Sequence, residues 1–160
     1  MPLTVPNTEQ MISRRIGPLM TGAGLDPTPT SDGTNPDMAM PIAIAAIEMG
    51  QTVADVTHPV NADLAGITNT KIPEYLLRAC YQVMSTVLTR SSTDVDFQQE
   101  TWSEKRSQRI GVIIKAMEAM KAEIDDMAEE AAEISSSYPR IGEIKAGTCD
   151  FRVPGGWPFP

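Results

Sequence analysis

Apolar residues in the second half of the chain recur in alternating steps of three and four positions. The series is Ile110, Ile113, Met117, Met120, Ile124, Met127, Ala131 and Ile134. This spacing places one apolar seam along a single helix. Thr101 and Glu104 have the spacing of a capping box, whereas residues 135–137 are serines and Pro139 has no backbone donor. The pattern predicts one long helix over about residues 102–134, with Ile110, Ile113, Met117, Met120, Ile124 and Met127 as its core seam.

Three shorter helices are predicted before it. The first starts near Asn7 and ends at Gly17-Pro18, and the second is capped by Asp37 and runs over residues 38–49. The second is apolar on nearly every side, so we expect it to be buried. The third opens at Pro73 and carries an apolar stripe at helical spacing: Leu76, Leu77, Cys80, Tyr81, Met84, Val87 and Leu88.

The chain divides into three regions by composition. Residues 21–37 are rich in Gly, Pro, Thr and Asp, which are typical of a linker or exposed loop, so we expect the first helix to be an arm. The prediction is an N-terminal arm and loop (1–37), a helical core (38–137) and an extended C-terminal arm (138–160). The fold class is mainly α, a small antiparallel helical bundle around the long helix. Residues 140–153 form either a short β-hairpin or part of an unpaired arm.

The C-terminal arm is unusually aromatic. Four of the eight aromatic residues lie in it: Tyr138, Phe151, Trp157 and Phe159. Large aromatic side chains in a segment without helical periodicity have no core of their own to enter, and interface cores select aromatic anchors. We therefore predict that these four residues bind a partner.

Net charge limits the possible partners. The chain of 160 residues has a formal charge of −8 and a pI near 4.6, which argues against a surface that grips nucleic-acid phosphates. It is one domain by size, and no apolar stretch approaches the ~18 residues of a membrane span. No signal peptide is recognisable at the amino end. We expect no membrane partner.

The charges of the long helix are reversed relative to its dipole. Cations lie near its amino end and anions near its carboxyl end, where the helix dipole disfavours them. These residues are Lys105, Arg106 and Arg109, and then Asp125, Asp126, Glu129 and Glu130. One interpretation is a solvated helix held by its seam; the other is charge that faces a neighbouring subunit or a channel lumen.

No constellation for catalysis or cofactor binding is present in the sequence. His58 is the only histidine and has no ligand set around it, and Cys80 falls on an apolar helix face, as a buried free thiol does. The acidic cluster on the long helix has i, i+4 spacing that suits a cation, but a solvated acidic face is the commoner meaning. We predict a non-enzymatic protein with no catalytic residue, metal or cofactor.

The third helix and the segment after it carry a family resemblance. The order is Ile72-Pro-Glu-Tyr-Leu-Leu-Arg-Ala-Cys80, then Thr93-Asp-Val-Asp-Phe97, then Ser103-Glu-Lys-Arg-Ser-Gln108. Over about residues 72–126 this resembles the head–tail adaptor (connector) proteins of tailed bacteriophages. The Gly/Pro-rich segment 21–37 and the apolar helix at 38–49 are longer than the compact family core needs.

The resemblance implies a structural virion protein at the head–tail junction, assembled in the host cytoplasm. It implies a twelve-fold homo-oligomeric ring beneath the portal, with DNA passing through its centre without specific binding. The C-terminal arm would reach the portal protein, and the lower face would receive a head-closure or tail protein. Two alternatives remain: a coiled-coil interaction or regulatory module that dimerises through the long seam, and a DNA-packaging subunit that grips DNA.

Overall fold

The protein is a helical structure. The computed structural model describes residues 3–93 and 100–137, with side chains for 3–92, 108–130, 132 and 133. Its four α-helices are α1 (Val5–Gly22), α2 (Pro36–Glu48), α3 (Ile72–Thr93) and α4 (Glu100–Ser137), and two 3-10 helices lie at Asn61–Leu64 and Asn69–Lys71. The prediction of a mainly helical fold is confirmed. The segment 140–153, predicted as a hairpin or arm, lies outside the described residues.

The chain separates into two compact units. The first is Met1–Met127, which contains α1, α2, α3 and most of α4; the second is Ala128–Pro160, which contains the carboxyl-terminal end of α4. Within the first unit α3 packs most extensively, against α2 and α1. A bundle organised around the long helix, and a division of the chain at residues 37 and 137, stay predictions.

The first helix is part of the core, which corrects the expectation of a free arm. Its apolar face is fully buried through Val5, Ile12, Ile16 and Met20. The amino end is fixed from two sides, because Thr4 Oγ1 accepts from the Asn7 amide and Asn61 Oδ1 accepts from the Val5 amide at 2.8 Å. Side-chain acceptors at a helix start satisfy donors that would otherwise stay unpaired.

Gly17-Pro18 does not end α1, contrary to the sequence prediction. Pro18 lies inside the helix, where its missing donor costs about 3 kcal/mol. Continuing the helix buries Met20 and then Leu25, each worth roughly 1.5–3 kcal/mol, so burial offsets the proline. The true end is a Schellman motif: Gly24 has φ +71°, and the Leu25 amide donates to the Met20 carbonyl at 3.0 Å.

The second helix is capped by Asn35, not by Asp37. Asn35 Oδ1 accepts from the Asp37 amide at 2.8 Å, and Pro36 occupies the first helical position. Asp37 lies in the first turn and its carboxylate accepts from the Asp26 amide. As expected for a helix that is apolar on most sides, α2 is largely buried, through Met38, Ala39, Pro41, Ile42, Ala43, Ala45 and Ala46.

The loop between α1 and α2 is held by one buried carboxylate. Glu9, on α1, has no exposed surface; its Oε2 accepts from the Thr30 amide (2.7 Å) and hydroxyl (3.0 Å), and its Oε1 accepts from the Asn35 amide (2.9 Å). Asn35 Nδ2 in turn donates to the carbonyls of Asp26 and Thr28. This network replaces the apolar contacts that a Gly- and Pro-rich loop cannot make.

The seam of α4 enters the same core. Ile113 is fully buried, Met120 and Ile124 are 8% exposed, and Met117 and Met127 are partly buried against the cluster. Ile110 is of intermediate burial. Arg15 of α1 also pairs with Glu123 of α4 at 3.4 Å, but both side chains are about half exposed, so this ion pair adds little.

Glu9→Gln should destabilise the protein by about 2–4 kcal/mol. The amide nitrogen of glutamine cannot accept, so at least one buried backbone donor of the loop loses its partner. A lower urea midpoint with an unchanged slope would report this loss. Glu118→Gln on exposed α4 surface is the control and should shift stability by less than ~0.5 kcal/mol. Equal midpoints for the two variants would contradict the role assigned to Glu9.

Ile113→Asp should abolish or strongly weaken folding. An unpaired carboxylate buried at this position costs several kcal/mol, against a total stability of ~5–15 kcal/mol. Val112→Asp is the matched control, because Val112 precedes Ile113 in the same helix and its own side chain is 58% exposed. Circular-dichroism melts should show a collapse of the transition for the first variant only. Similar melts for both would mean that the seam does not pack in the core.

Candidate functional site

An open groove runs along the contact between α3 and α4. Its apolar end is lined by Tyr81, Leu88, Ile114, Met117, Glu118 and Lys121. Ile114 remains 41% exposed, although its neighbour Ile113 is fully buried. Leu88, Tyr81 and Met117 are partly buried against the core. The groove therefore has an apolar floor that the described part of the subunit leaves accessible.

The other end of the groove is charged. Arg78 lies between two glutamates: its Nη2 donates to Glu74 Oε1 at 2.8 Å, and its Nη1 is 3.5 Å from Glu48 Oε2. Gln82 Nε2 donates to the same Glu48 side chain at 2.6 Å. Asp125 and Lys121 of α4 complete this end, and Tyr81 and Lys121 line both ends. These two hollows share Tyr81 and Lys121, and we call them together the α3–α4 groove.

The network fixes the charged end of the groove. Glu74 and Arg78 are one turn apart on α3, and Glu48 reaches them from the end of α2. The Arg78 side chain is about a quarter exposed, so its pairs are less screened by water than surface pairs are. Asp125, in contrast, is exposed and is available to a cation from outside.

The charged residues predicted on α4 have different surroundings. The Arg109 guanidinium lies over Gly22, because a Cβ added at Gly22 would overlap it. A cation there complements the carboxyl end of α1, which has no basic residue of its own in its last turn. Asp125, Asp126, Glu129 and Glu130 are all exposed. Lys105 and Arg106 lie in α4, but their side chains fall outside the described ones.

The predicted aromatic anchors Tyr138, Phe151, Trp157 and Phe159 lie outside the described residues. His58 lies in an exposed turn after α2. Asp55 Oδ1 accepts from the Thr57 amide (2.8 Å) and hydroxyl (2.6 Å), and the Thr57 hydroxyl is 2.9 Å from His58 Nδ1. The Thr57 hydrogen bonds, and then the nearby His58, lower the pKa of Asp55. A turn of this kind is held by local hydrogen bonds.

The two most reactive side-chain types of α3 are buried. Cys80 is a free thiol, as predicted, and burial raises its pKa to about 11, opposed weakly by Arg15. Burial likewise raises the pKa of Tyr75, and the smaller, opposing effect of the nearby Thr8 hydroxyl does not cancel this shift. Both groups therefore stay protonated at neutral pH, and neither is a ready nucleophile.

Two further searches cover only the residues that the structure describes. No three side chains of His, Cys, Asp or Glu are grouped there in a way that holds a metal ion. In the same ranges, no helix combines the length and apolar character needed to cross a membrane.

Comparison with known proteins finds no protein family, no curated protein and no solved structure that matches this chain.

Sequence reasoning missed the groove, although it named several residues around it. Leu88, Tyr81 and Met117 were assigned to apolar stripes and Asp125 to an acidic cluster. The signal was the pair Ile113-Ile114 in α4: adjacent positions of a helix point about 100° apart, so one seam cannot bury both. An apolar residue beside a seam position is a candidate for a second contact surface.

Cys80 should resist thiol reagents in the native protein. With a pKa of about 11 and a buried side chain, its reaction with a disulfide reagent at pH 8 should be at least about a hundredfold slower than in denaturant. The measurement uses the Cys149→Ser chain, in which Cys80 is the only thiol. Prompt labelling without denaturant would show that α3 opens readily and would contradict its assignment to the core.

Proposed function

We propose that this protein is a non-enzymatic structural subunit of a bacteriophage neck. In this proposal it forms a homo-oligomeric ring that joins the portal protein to head-closure or tail proteins and lines the DNA channel. The ring is twelve-fold by resemblance to head–tail adaptor proteins. Its place is the virion, at the head–tail junction, after assembly in the host cytoplasm.

The observation that carries the proposal is the open α3–α4 groove. The residues that resemble the adaptor proteins, about 72–126, belong mostly to α3 and to the first part of α4, and the groove lies between these two helices. An accessible apolar groove in the segment that bears the resemblance favours a protein that is covered by others in an assembly.

Other exposed apolar side chains support the same conclusion. Among the described side chains, six large apolar ones are at least 41% exposed: Met11, Met40, Ile47, Val60, Val112 and Ile114. Single exposed apolar residues are normal on any protein. Here one of the six, Ile114, lines the groove on α4, the helix that we propose to organise the subunit and the ring.

The charge of α4 suits a channel through which DNA moves. Asp125, Asp126, Glu129 and Glu130 are exposed on it, and the chain as a whole is acidic. A wall of carboxylates repels phosphates, so DNA passes without being held. In this proposal these residues line the lumen, and the four aromatic residues of 138–160 make contacts within the neck.

The coiled-coil alternative is less well supported. Dimerisation through the long seam requires the seam to be free, but Ile113, Met120 and Ile124 are buried against the other helices of the subunit. The DNA-packaging alternative requires a cationic surface. The exposed face of α4 is mainly acidic over its described carboxyl-terminal half.

The ring proposal predicts particles of many copies that do not bind DNA. Sedimentation velocity and negative-stain electron microscopy of the purified chain should show rings with a central channel. An electrophoretic assay at low salt should show no retention of double-stranded DNA. A two-chain particle would support the coiled coil instead, and salt-sensitive DNA binding would support the packaging subunit.

A charge-reversed chain provides the matched comparison. Changing Asp126, Glu129 and Glu130, which do not line the groove, to lysine should leave the rings intact and add salt-dependent DNA retention, because clustered cations release counterions from DNA. If rings of this variant still do not bind DNA, the acidic residues do not face the channel.

A further inference from the structure

The two ends of the α3–α4 groove define the chemistry of what fits it. The apolar end offers Leu88, Ile114 and Met117, and Tyr81 lines both ends. The other end offers the exposed carboxylate of Asp125. A matching ligand therefore has large apolar side chains at one end and a cation at the other.

We propose that the α3–α4 groove binds residues 151–159 of a second copy of this chain. The segment is Phe-Arg-Val-Pro-Gly-Gly-Trp-Pro-Phe, with Trp157 and Phe159 around a proline and Arg152 near its start. A segment that contains several prolines loses little backbone freedom when it docks, and large aromatic side chains are the anchors that apolar interfaces select. The segment supplies the apolar anchors and the cation that the groove requires.

The spacing of these groups agrees. Ile114 and Asp125 are eleven residues apart in α4, which is about 16 Å along the helix axis. Arg152 and Trp157 are five residues apart, which is also about 16 Å when the segment is extended. With Trp157 on Ile114 and Met117, Arg152 reaches Asp125. Lys121, between the two ends, lies where an ammonium group can contact an aromatic face.

A contact of this kind is heterologous: the groove of one copy receives the segment of the next. Such contacts close into rings when the rotation between copies allows it, whereas a two-fold dimer uses the same patch twice. The inference rests on the proposed function for its ring, and it adds which surfaces join neighbouring subunits. The aromatic residues then bind within the ring, and not the portal protein as the family resemblance implies.

Complementation between two full-length variants tests the contact. Ile114→Glu places a charge in the groove and leaves the segment intact. Trp157→Ala with Phe159→Ala removes the anchors and leaves the groove intact. In sedimentation velocity the wild type should self-associate, and each variant alone should do so at least about tenfold more weakly. An equimolar mixture should form a complex of the two variants, because one supplies the segment and the other the groove.

Val112→Glu is the control for the groove variant. It introduces the same charge on the same helix, but Val112 does not line the groove, so self-association should equal that of the wild type. At a concentration where the wild type is monomeric, circular-dichroism melts of Val112→Glu and Ile114→Glu should match that of the wild type, since both positions are exposed. Asp125→Lys should weaken self-association, and adding Arg152→Glu to the same chain should restore it.

Several results would overturn the inference. They are a wild type that stays monomeric, an Ile114→Glu chain that associates normally, a mixture that forms no complex, or equal defects for Val112→Glu and Ile114→Glu. A monomeric wild type would contradict the proposed ring as well, whereas the other three outcomes bear on this contact alone. Rings that form normally from the Ile114→Glu chain would exclude this contact but would not contradict the neck proposal. A segment–groove complex that never forms rings would support this contact and contradict the neck proposal.

Discussion

The buried carboxylate of Glu9 is the interaction on which the first unit depends. A carboxylate without solvent is tolerated only when hydrogen bonds replace its water, and here the Thr30 and Asn35 groups do so. Asn35 is also the N-cap of α2. One side chain of α1 therefore fixes the loop and the start of α2 together. The apolar residues of α2 can then meet α3 in a single arrangement.

This dependence explains how a polar, glycine-rich loop belongs to a compact unit. Its residues bury little apolar surface besides Leu25, so its order comes from hydrogen bonds with defined partners. Such order is directional, whereas apolar burial is not. The loop therefore aligns α1 and α2, and both of these helices pack against α3. The interior that results raises the pKa of the Cys80 thiol and of the Tyr75 hydroxyl.

Apolar periodicity predicted those features of the fold that depend only on burying one face of a helix. The stripe of α3 and the positions Ile113, Met120 and Ile124 follow from the spacing of apolar residues alone, because a helix can hide only one face. It could not predict that α1 continues through Pro18, since the compensating burial of Met20 and Leu25 depends on distant elements. Nor could it assign Glu9, whose partners lie more than 20 residues away and are mostly backbone amides. The groove could not be predicted for a similar reason, because it is formed by the flanks of two helices and not by the apolar seam of either helix.

The same packing that buries the seam sets the geometry of the groove. Ile113 and Ile124 are held in the core, which fixes the rotation of α4 about its own axis. Ile114 and Asp125 each follow one of these buried residues, so both are turned by about 100° to the same flank of the helix. Their separation is then a property of the helix and cannot drift. A binding surface built in this way needs no loop to position it, and its apolar and acidic ends remain at a constant distance in every copy.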